Sequence, residues 1–347
     1  MLVSQYGHSR SQPFSGSDNK MKKVAVTGAS GHIGANLVRE LIGRGYEVVT
    51  LIRQTSLALE GLDVVRVDGD VLDQQSLCMA FRGVEHVYHL AAHISIQPGD
   101  NDKLERVNIE GTRNVLEACR LEGVSTLVHF SSIHALELEP LDRPVTEENP
   151  LLGERTGHGG DYDFSKAGAE RLIRQNSCKT LGTRIIYPTA VLGPNDYHGS
   201  LFGQAIIKMA HGRLPAMVSG GFNWVDARDV AWGAVEAAEK GADGDRYILS
   251  GHYLGVSEVA AVIAELTGVA APRLTFPSWV AGLFAPLMTG WARLSGQAPL
   301  YTRDSLAALT ANKVMSHAKA SREFAYQPRA FHDSMRDVLR FYNYKDQ

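Results

Sequence analysis

The chain has 347 residues, of which 44% are hydrophobic, so it can bury a substantial core in one large or two modest domains. Its formal net charge of -3 provides no broad electrostatic attraction to nucleic acid or to an anionic membrane, and nucleic acid is not among the expected partners. Cys78, Cys119 and Cys178 are widely separated and lack the spacing of a metal site or a disulfide framework, so no metal is expected.

We expect neither a secretory signal nor a membrane-spanning helix. Residues 1–20 are rich in Ser, Gln, Gly and Asn and lack the apolar run of a signal peptide, which predicts a disordered extension. The most apolar late stretch, residues 279–288, is broken by Pro286 and is shorter than the roughly 20 residues that cross a bilayer. We interpret this stretch as core or pocket wall, and we expect a cytoplasmic protein.

From residue 23 onward, short apolar runs alternate with longer segments of helical period. This alternation is typical of βαβ units and predicts an α/β fold with an open, doubly wound parallel sheet of the Rossmann type. The predicted strands are residues 23–27, 46–52, 63–67, 86–90, 125–131 and 183–188. The predicted helices between them are residues 32–44, 73–82, 104–122 and 161–180.

After Pro188 the pattern becomes irregular and predicts a smaller, discontinuous C-terminal substrate domain. Residues 189–224 are expected to be loop-rich, followed by a strand at 224–226, a helix near 229–240, a strand at 247–250, and helices near 256–267, 303–312 and 330–343. We assign 21–188 and 224–251 to the dinucleotide-binding domain, and 189–223 and 252–347 to a substrate-binding lid. Substrate choice is expected to depend on lid side chains such as Val191, Tyr197, Phe202, Phe222 and Trp279.

Three glycines, Gly28, Gly31 and Gly34, follow the first predicted strand. The strand ends at Thr27, and a helix with periodic apolar residues begins directly afterwards. Glycines at such a turn let the backbone approach a pyrophosphate, whose charge the helix N-terminus stabilises. Their spacing of three and three differs from the commonest dinucleotide fingerprint, so a purely structural turn is the alternative.

The second predicted strand ends at Arg53, where an acidic residue would receive the ribose 2′-hydroxyl of NAD. A carboxylate there would repel a 2′-phosphate, whereas an arginine pairs with one. We therefore expect NADP(H) as the cofactor, with NAD(H) as an alternative. The other alternative is that Arg53 is an exposed arginine that binds no ligand. Asp70, after the third strand, is placed either to accept a hydrogen bond from the adenine amino group or to cap its loop.

Tyr162 and Lys166 stand one helical turn apart in the segment Tyr-Asp-Phe-Ser-Lys. A cation on the same helix face stabilises a phenolate, so we expect the tyrosine pKa to fall below its usual value of about 10 and Tyr162 to act as an acid or base. Ser131 and Ser132 end the fifth predicted strand at the same edge as the glycine turn. Because neighbouring residues alternate across a strand, one of the two serines is expected to face the substrate oxygen.

The remaining motifs favour packing over chemistry. His89, His93, His134 and His158 lie near the expected site but lack a metal-ligand spacing, and we interpret them as packing or pocket-lining residues. No Gly-x-Ser-x-Gly segment stands between a strand and a helix, which excludes a hydrolase of the nucleophile-elbow type.

Together these motifs resemble the extended branch of the short-chain dehydrogenase/reductase superfamily, the NAD-dependent epimerase/dehydratase family, over residues 22–344. The glycines match its Thr-Gly-x-x-Gly-x-x-Gly motif, and Tyr162 and Lys166 match its Tyr-x-x-x-Lys motif. The resemblance implies that Ser132 and Asn108 complete the catalytic set. It also implies a homodimer packed through helices 104–122 and 162–178.

The resemblance implies the cofactor contacts as well. The segment His89–Ala92 matches the family's loop under the nicotinamide, and within the family the chain is most similar to the dihydroflavonol 4-reductase and 3β-hydroxysteroid dehydrogenase group. The expected contacts are Gly28, Ser30, Gly31, His32, Ile33, Gly34, Arg53, Asp70, Val71, Leu90, Ala91, Ala92, Tyr162, Lys166, Tyr187, Pro188 and Val191.

Two departures from the family pattern define the expected activity. Sugar-nucleotide dehydratases resembling this chain have Thr-Asp-Glu where Ser132-Ile133-His134 stands, so the acid and base for water elimination are missing. Residues 220–223 replace the Arg-Asp pair of nucleotide-sugar epimerases, which weakens the case for a diphosphate ligand. We expect an NADP(H)-dependent reductase or dehydrogenase acting on a carbonyl or secondary alcohol of a fairly apolar small molecule. A nucleotide-sugar epimerase with tightly held NAD and a non-catalytic dinucleotide sensor are the alternatives.

Overall fold

A seven-stranded parallel sheet forms the centre of the computed structural model, which describes residues 21–95, 100–153, 159–176, 180–280 and 303–342. Its strands are β1 (Lys23–Thr27), β2 (Glu47–Ile52), β3 (Val65–Asp68), β4 (His86–His89), β5 (Thr126–Phe130), β6 (Gly182–Pro188) and β10 (Asp245–Leu249). Their order in the sheet is β10-β6-β5-β4-β1-β2-β3, so the direction in which successive strands are added reverses between β1 and β4. Open sheets bind ligands next to such a reversal, at the carboxyl ends of the strands. The predicted doubly wound sheet is confirmed.

Helices cover both faces of this sheet. They are α1 (His32–Gly43), α2 (Gln74–Phe81), α3 (Asn101–Leu104), α4 (Gly111–Leu121), α5 (Asp161–Gln175) and α7 (Ala227–Lys240). On one face, Leu37 and Leu41 of α1 join Val230 and Ala234 of α7 in a buried core. On the other face, buried side chains of α2, α4 and α5 form a second core, so the sheet is the middle of three layers.

The register of the strands brings the predicted motifs to one edge. Thr27 at the end of β1 pairs with Leu51 and His89, and His129 of β5 pairs with His89. Because parallel strands in register end at the same edge, the glycine turn, the loop after His89 and the two serines after Phe130 meet there.

Among the described residues, the second half of the chain adds two small sheets and five further helices. The strands are β7 (Ala190–Leu192), β9 (Gly221–Asp226) and β11 (His252–Gly255) in one sheet, and β8 (Ala216–Val218) and β12 (Leu274–Phe276) in the other. The helices are α6 (Leu201–Ala210), α8 (Val256–Thr267), α9 (Arg303–Leu309), α10 (Ala318–Phe324) and α11 (Phe331–Phe341). Ile206 of α6, Trp224 of β9, Ile263 of α8 and Met335 of α11 lie in one shared core.

The expectation that residues 189–224 are loop-rich is wrong, because helix α6 and three strands lie within or across this range. Helix α6 is capped by Ser200, whose hydroxyl accepts a hydrogen bond from the Gly203 amide at 3.0 Å. Gly203, which lowers helix propensity, leaves room for the Tyr342 hydroxyl, since a Cβ there would lie 2.3 Å from that oxygen. Tertiary packing therefore overrides the local signal.

Helix α10, which was predicted to lie in the lid, packs against the large sheet. Phe324 and Tyr326 join the core that contains Tyr247 of β10. Lys319 contacts Asp245 at 2.6 Å and lies over the Tyr247 ring.

Several sequence predictions concern residues that the structure does not describe: the extension at 1–20, the thiol of Cys178, the side chain of His158 and residues 281–288. Within the described ranges, no helix combines the length and the apolar composition needed to cross a membrane.

Candidate active site at the carboxyl edge of the sheet

The glycine turn between β1 and α1 is built for close backbone approach. Gly28 has a φ of +74°, and a Cβ on it would lie 2.6 Å from the Ala91 nitrogen. A Cβ on Gly34 would lie 2.1 Å from the Gly28 carbonyl oxygen, and the Gly31 amide donates to that oxygen at 3.0 Å. Such a cradle, which any Cβ would fill, fits the pyrophosphate of a dinucleotide.

The first turn of α1 completes the cradle with backbone donors. Ser30, His32 and Ile33 are all partly exposed, and the first amides of a helix have no intrahelical acceptors. The His32 ring turns away, since its Nε2 donates to the Gly193 carbonyl at 3.1 Å. Burial lowers the pKa of His32, so this side chain is neutral and the main chain is left to bind an anion.

The loop after β4 is fixed beside the glycine turn. The Ala91 amide donates to the Thr27 hydroxyl at 3.3 Å, and His89 is hydrogen-bonded to Thr27 at 2.8 Å and to Thr112 at 3.0 Å. Burial lowers the pKa of His89 to about 3, so the ring is neutral and structural. These bonds hold Leu90, Ala91 and Ala92, each partly exposed, along the floor of the cleft.

The predicted adenosine end contains an unpaired cation. Arg53 is exposed and makes no hydrogen bond or ion pair with any described residue. Asp70 caps its own loop, since its Oδ1 accepts from the Leu72 amide at 2.9 Å. Val71 is buried, and its carbonyl accepts from Asn114 at 3.1 Å.

Tyr162 lies in the first turn of α5 and is partly exposed at the cleft. The Ser132 hydroxyl lies beside the Tyr162 side chain and accepts a hydrogen bond from the His134 amide at 3.2 Å. Desolvation raises the pKa of Tyr162, and the neighbouring Asp163 adds to this effect, whereas the nearby Ser132 hydroxyl opposes it. Tyr162 is therefore a protonated phenol at neutral pH.

Lys166 is 5% exposed and donates to the Phe130 carbonyl oxygen. Burial lowers the pKa of Lys166 to about 8, against the opposing effect of Glu170. The expectation of a lowered tyrosine pKa is wrong for this arrangement. Desolvation of Tyr162 dominates, and the lysine ammonium is directed at a carbonyl oxygen rather than at the phenol.

Asn108 lies in a π-helical turn, Glu105–Glu110, that joins α3 to α4. Its side chain accepts from the His93 amide at 2.7 Å and donates to the His93 carbonyl at 3.0 Å and to the Ser165 hydroxyl at 2.8 Å. Asn108 therefore ties the loop under the cleft to the helix that carries Tyr162 and Lys166.

The last predicted cofactor contacts lie on β6 and β7. Tyr187 is fully buried, and its hydroxyl contacts Glu170 and Arg174, so only its main chain is available to a ligand. Pro188 ends β6 at the carboxyl edge. Val191 on β7 is partly buried against the main core.

Sequence reasoning missed the buried groups behind the cleft. Glu170 accepts from Ser131 at 2.6 Å, and His129 is buried with no hydrogen-bond partner for either ring nitrogen among the described residues. A spacing signal for Glu170 was present, since Tyr162, Lys166, Glu170 and Arg174 follow one another at four-residue intervals on α5.

The predicted lid side chains do not form one group. Phe202 and Phe222 pack edge to face at 5.0 Å. Tyr197 instead accepts from Arg39 at 3.2 Å, and Trp279 is exposed. No cluster of three or more potential metal ligands occurs within the part of the chain that the structure describes.

Comparison with known proteins identifies the family. The model of the NAD dependent epimerase/dehydratase family matches residues 24–250. The chain belongs to this family. It is therefore related to NAD(P)-dependent oxidoreductases and epimerases, as its motifs predicted.

Two curated relatives and one solved structure match most of the chain. "Sterol demethylase protein B" of Methylococcus capsulatus is 35% identical, over 91% of this chain and 97% of the relative. A "putative dihydroflavonol 4-reductase" of Synechocystis is 33% identical, over 79% and 80%. The crystal structure of gox2253 has a TM-score of 0.80 and 31% identity, over 93% of this chain and 98% of its own. The predicted similarity to dihydroflavonol 4-reductases is confirmed.

Proposed function

We propose that this protein is an NADP(H)-dependent reductase or dehydrogenase that acts on a carbonyl or secondary alcohol of a fairly apolar small molecule. The observation that carries this proposal is the placement of Ser132 beside Tyr162, one helical turn from buried Lys166 and at the same sheet edge as the glycine turn. A nicotinamide cofactor bound in this cradle supplies hydride chemistry.

The protein's own groups handle the proton and the alignment of the substrate. In the reducing direction Tyr162 donates its proton to the substrate oxygen, in keeping with its raised pKa. Ser132 orients that oxygen, and Lys166 binds the ribose and stabilises the phenolate that Tyr162 leaves behind. Asn108 positions the segment or water chain that feeds protons to Lys166.

The preference for NADP(H) rests on Arg53. Its guanidinium has no ion-pair partner among the described residues and follows the second strand, where the ribose 2′ position lies in such folds. A phosphate oxygen there would pair with it in a charge-assisted bond. NAD(H) is the alternative cofactor.

An apolar substrate is supported by the relatives and by the second domain. The name of the most similar relative reported above refers to sterols. In this chain, Asn223 bonds to Thr189 and to the Gly251 amide, and Phe222 packs against Trp224. This segment therefore has no basic group for a diphosphate.

A screen of ketones, aldehydes and secondary alcohols with each cofactor tests the proposal, read by absorbance of the reduced nicotinamide. We expect turnover of apolar carbonyl compounds with net oxidation of NADPH. An epimerase would instead retain NAD through purification and convert a nucleotide sugar without net cofactor consumption. A dinucleotide sensor would bind the cofactor and turn over nothing. Either result would contradict the proposal.

We also propose a homodimer that packs through α4 and α5. In support, Leu121 at the end of α4 is 62% exposed, an apolar side chain that a partner subunit would cover. Sedimentation analysis of the protein, with Leu121→Glu as the disrupting variant, tests this assembly.

A further inference from the structure

Glu170 is a charged group with no access to solvent. It is 0% exposed on α5, one turn beyond Lys166. Its carboxylate accepts from the Ser131 hydroxyl at 2.6 Å, from Arg174 Nε at 2.9 Å and from the Tyr187 hydroxyl. Burying a carboxylate is costly unless it is paired and hydrogen-bonded, and these bonds offset that cost. Packing alone does not explain why a charged side chain occupies this position.

The bond to Ser131 determines which way its neighbour points. Ser131 and Ser132 follow β5 directly, and adjacent side chains of an extended segment point to opposite sides. With Ser131 held inward by Glu170, Ser132 is directed to the opposite side, toward Tyr162. The Glu170 carboxylate thus orients Ser132, which is proposed to contact the substrate oxygen, through Ser131 and not by direct contact.

The charges around Lys166 are unequal on its two sides. From β4 and β5 it is faced by His89 and His129, whose pKa values burial holds below the usual range, so both are neutral. On its own helix its neighbours one turn away are Tyr162, a neutral phenol, and the buried Glu170, whose negative charge opposes the loss of its proton. Of these four groups, Glu170 is therefore the one whose negative charge balances the Lys166 ammonium.

We propose that Glu170 is a positioning residue of this site, which orients Ser132 through Ser131 and keeps Lys166 charged. This inference rests on the proposed function, in which Ser132 and Lys166 serve Tyr162. Arg174 and Tyr187 complete the cage, since both contact the carboxylate and fix its orientation.

The charge of Lys166 can be measured without catalysis. Lysine labelled with ¹³C at Cε reports its ionisation by NMR in the purified protein, and Lys166→Met assigns the signal. In Glu170→Gln, which keeps the shape and an acceptor oxygen, we expect the Lys166 titration to move to lower pH by about one unit. A titration unchanged from that of the native protein overturns the proposal.

Glu236→Gln is the matched control. Glu236 is also a buried glutamate on a helix, and it contacts an arginine, Arg44, at 2.7 Å and a lysine four residues on, Lys240. It lies on α7, which covers the other face of the sheet. Its substitution is expected to lower thermal stability and to leave the Lys166 titration in place.

Turnover provides the second readout. The alkaline limb of kcat/KM in Glu170→Gln should move with the NMR titration, to lower pH. Ser131→Ala keeps the charge of Glu170 and removes only the tether, so we expect kcat to fall about tenfold with cofactor affinity and the Lys166 titration unchanged. Native kcat in Ser131→Ala overturns the orienting role, and this variant decides the matter if Glu170→Gln does not fold.

The two proposals fail in different ways. If the native protein reduces no carbonyl, the proposed function fails, while the NMR titration still tests the link between Glu170 and Lys166. If the native protein is active and Glu170→Gln retains both its Lys166 titration and its pH profile, the role of Glu170 fails and the proposed function stands.

Discussion

Ser132 lies beside Tyr162, although the serine follows a strand and the tyrosine lies in the first turn of a helix. The parallel register brings them together, because β5 ends at the edge where α5 starts. Lys166 lies one turn further along α5, buried against the last carbonyl of β5. This triangle is the basis of the proposed chemistry.

Activity should depend on pH through Lys166. Since burial lowers the pKa of Lys166 to about 8, the lysine loses its charge above that value and can no longer stabilise the phenolate. We expect kcat/KM for carbonyl reduction to fall above about pH 8. A profile that is flat from pH 7 to about pH 10 would contradict this role, since a lysine with its ordinary pKa would stay charged there.

The contribution of Lys166 to the free energy of unfolding should rise with pH, whereas activity falls. The folded protein releases the Lys166 proton near pH 8, whereas the unfolded chain holds it to about pH 10.5. The unfolded state binds more protons in this window, so this group's contribution to the free energy of unfolding rises with pH. Urea titrations of the native protein and Lys166→Met should show a difference that grows in favour of the native protein from pH 8 to pH 10.

Cofactor choice should depend on Arg53. Replacing it with aspartate removes the partner of a 2′-phosphate and adds repulsion, so we expect Arg53→Asp to weaken NADPH binding by about tenfold or more and to spare NADH. Quenching of protein fluorescence measures both affinities. Arg82→Asp, an exposed arginine directly after α2, is the charge-matched control and should leave both unchanged.

The cradle should not tolerate a side chain at Gly28. Gly28→Ala introduces a Cβ 2.6 Å from the Ala91 nitrogen at a φ of +74°, and we expect loss of dinucleotide binding together with destabilisation of about 1–3 kcal/mol. Gly45→Ala separates the two effects, because Gly45 has a φ of +82° with open space around it. Equal loss of cofactor binding in both variants would show that strain, and not the cradle, is responsible.

The sequence predicted features that depend on local spacing. The glycine turn and the pair Tyr162 and Lys166 were identifiable because each lies within one short segment of the chain, and the alternation of strands and helices predicted the sheet. The strand pattern could narrow the serine that faces the substrate to Ser131 or Ser132. It could not show that Glu170 holds Ser131, since that contact joins a strand end to a helix.

Burial and long-range packing account for the errors. The pKa of Tyr162 depends on desolvation, which no spacing reveals, and the sign expected from Lys166 alone was therefore wrong. Helix α6 was missed because Gly203 interrupts its helical sequence pattern. The glycine leaves room for the side chain of Tyr342, which lies far along the chain.

The most direct test of the account is the turnover of Tyr162→Phe with NADPH and a carbonyl substrate of the native protein. The variant keeps the ring and the backbone and removes only the proton donor. We expect NADPH affinity to persist and kcat to fall by about 10²–10⁴-fold, whereas Tyr46→Phe, directly before β2, should be fully active. Native turnover by Tyr162→Phe would contradict the claim that this phenol protonates the substrate.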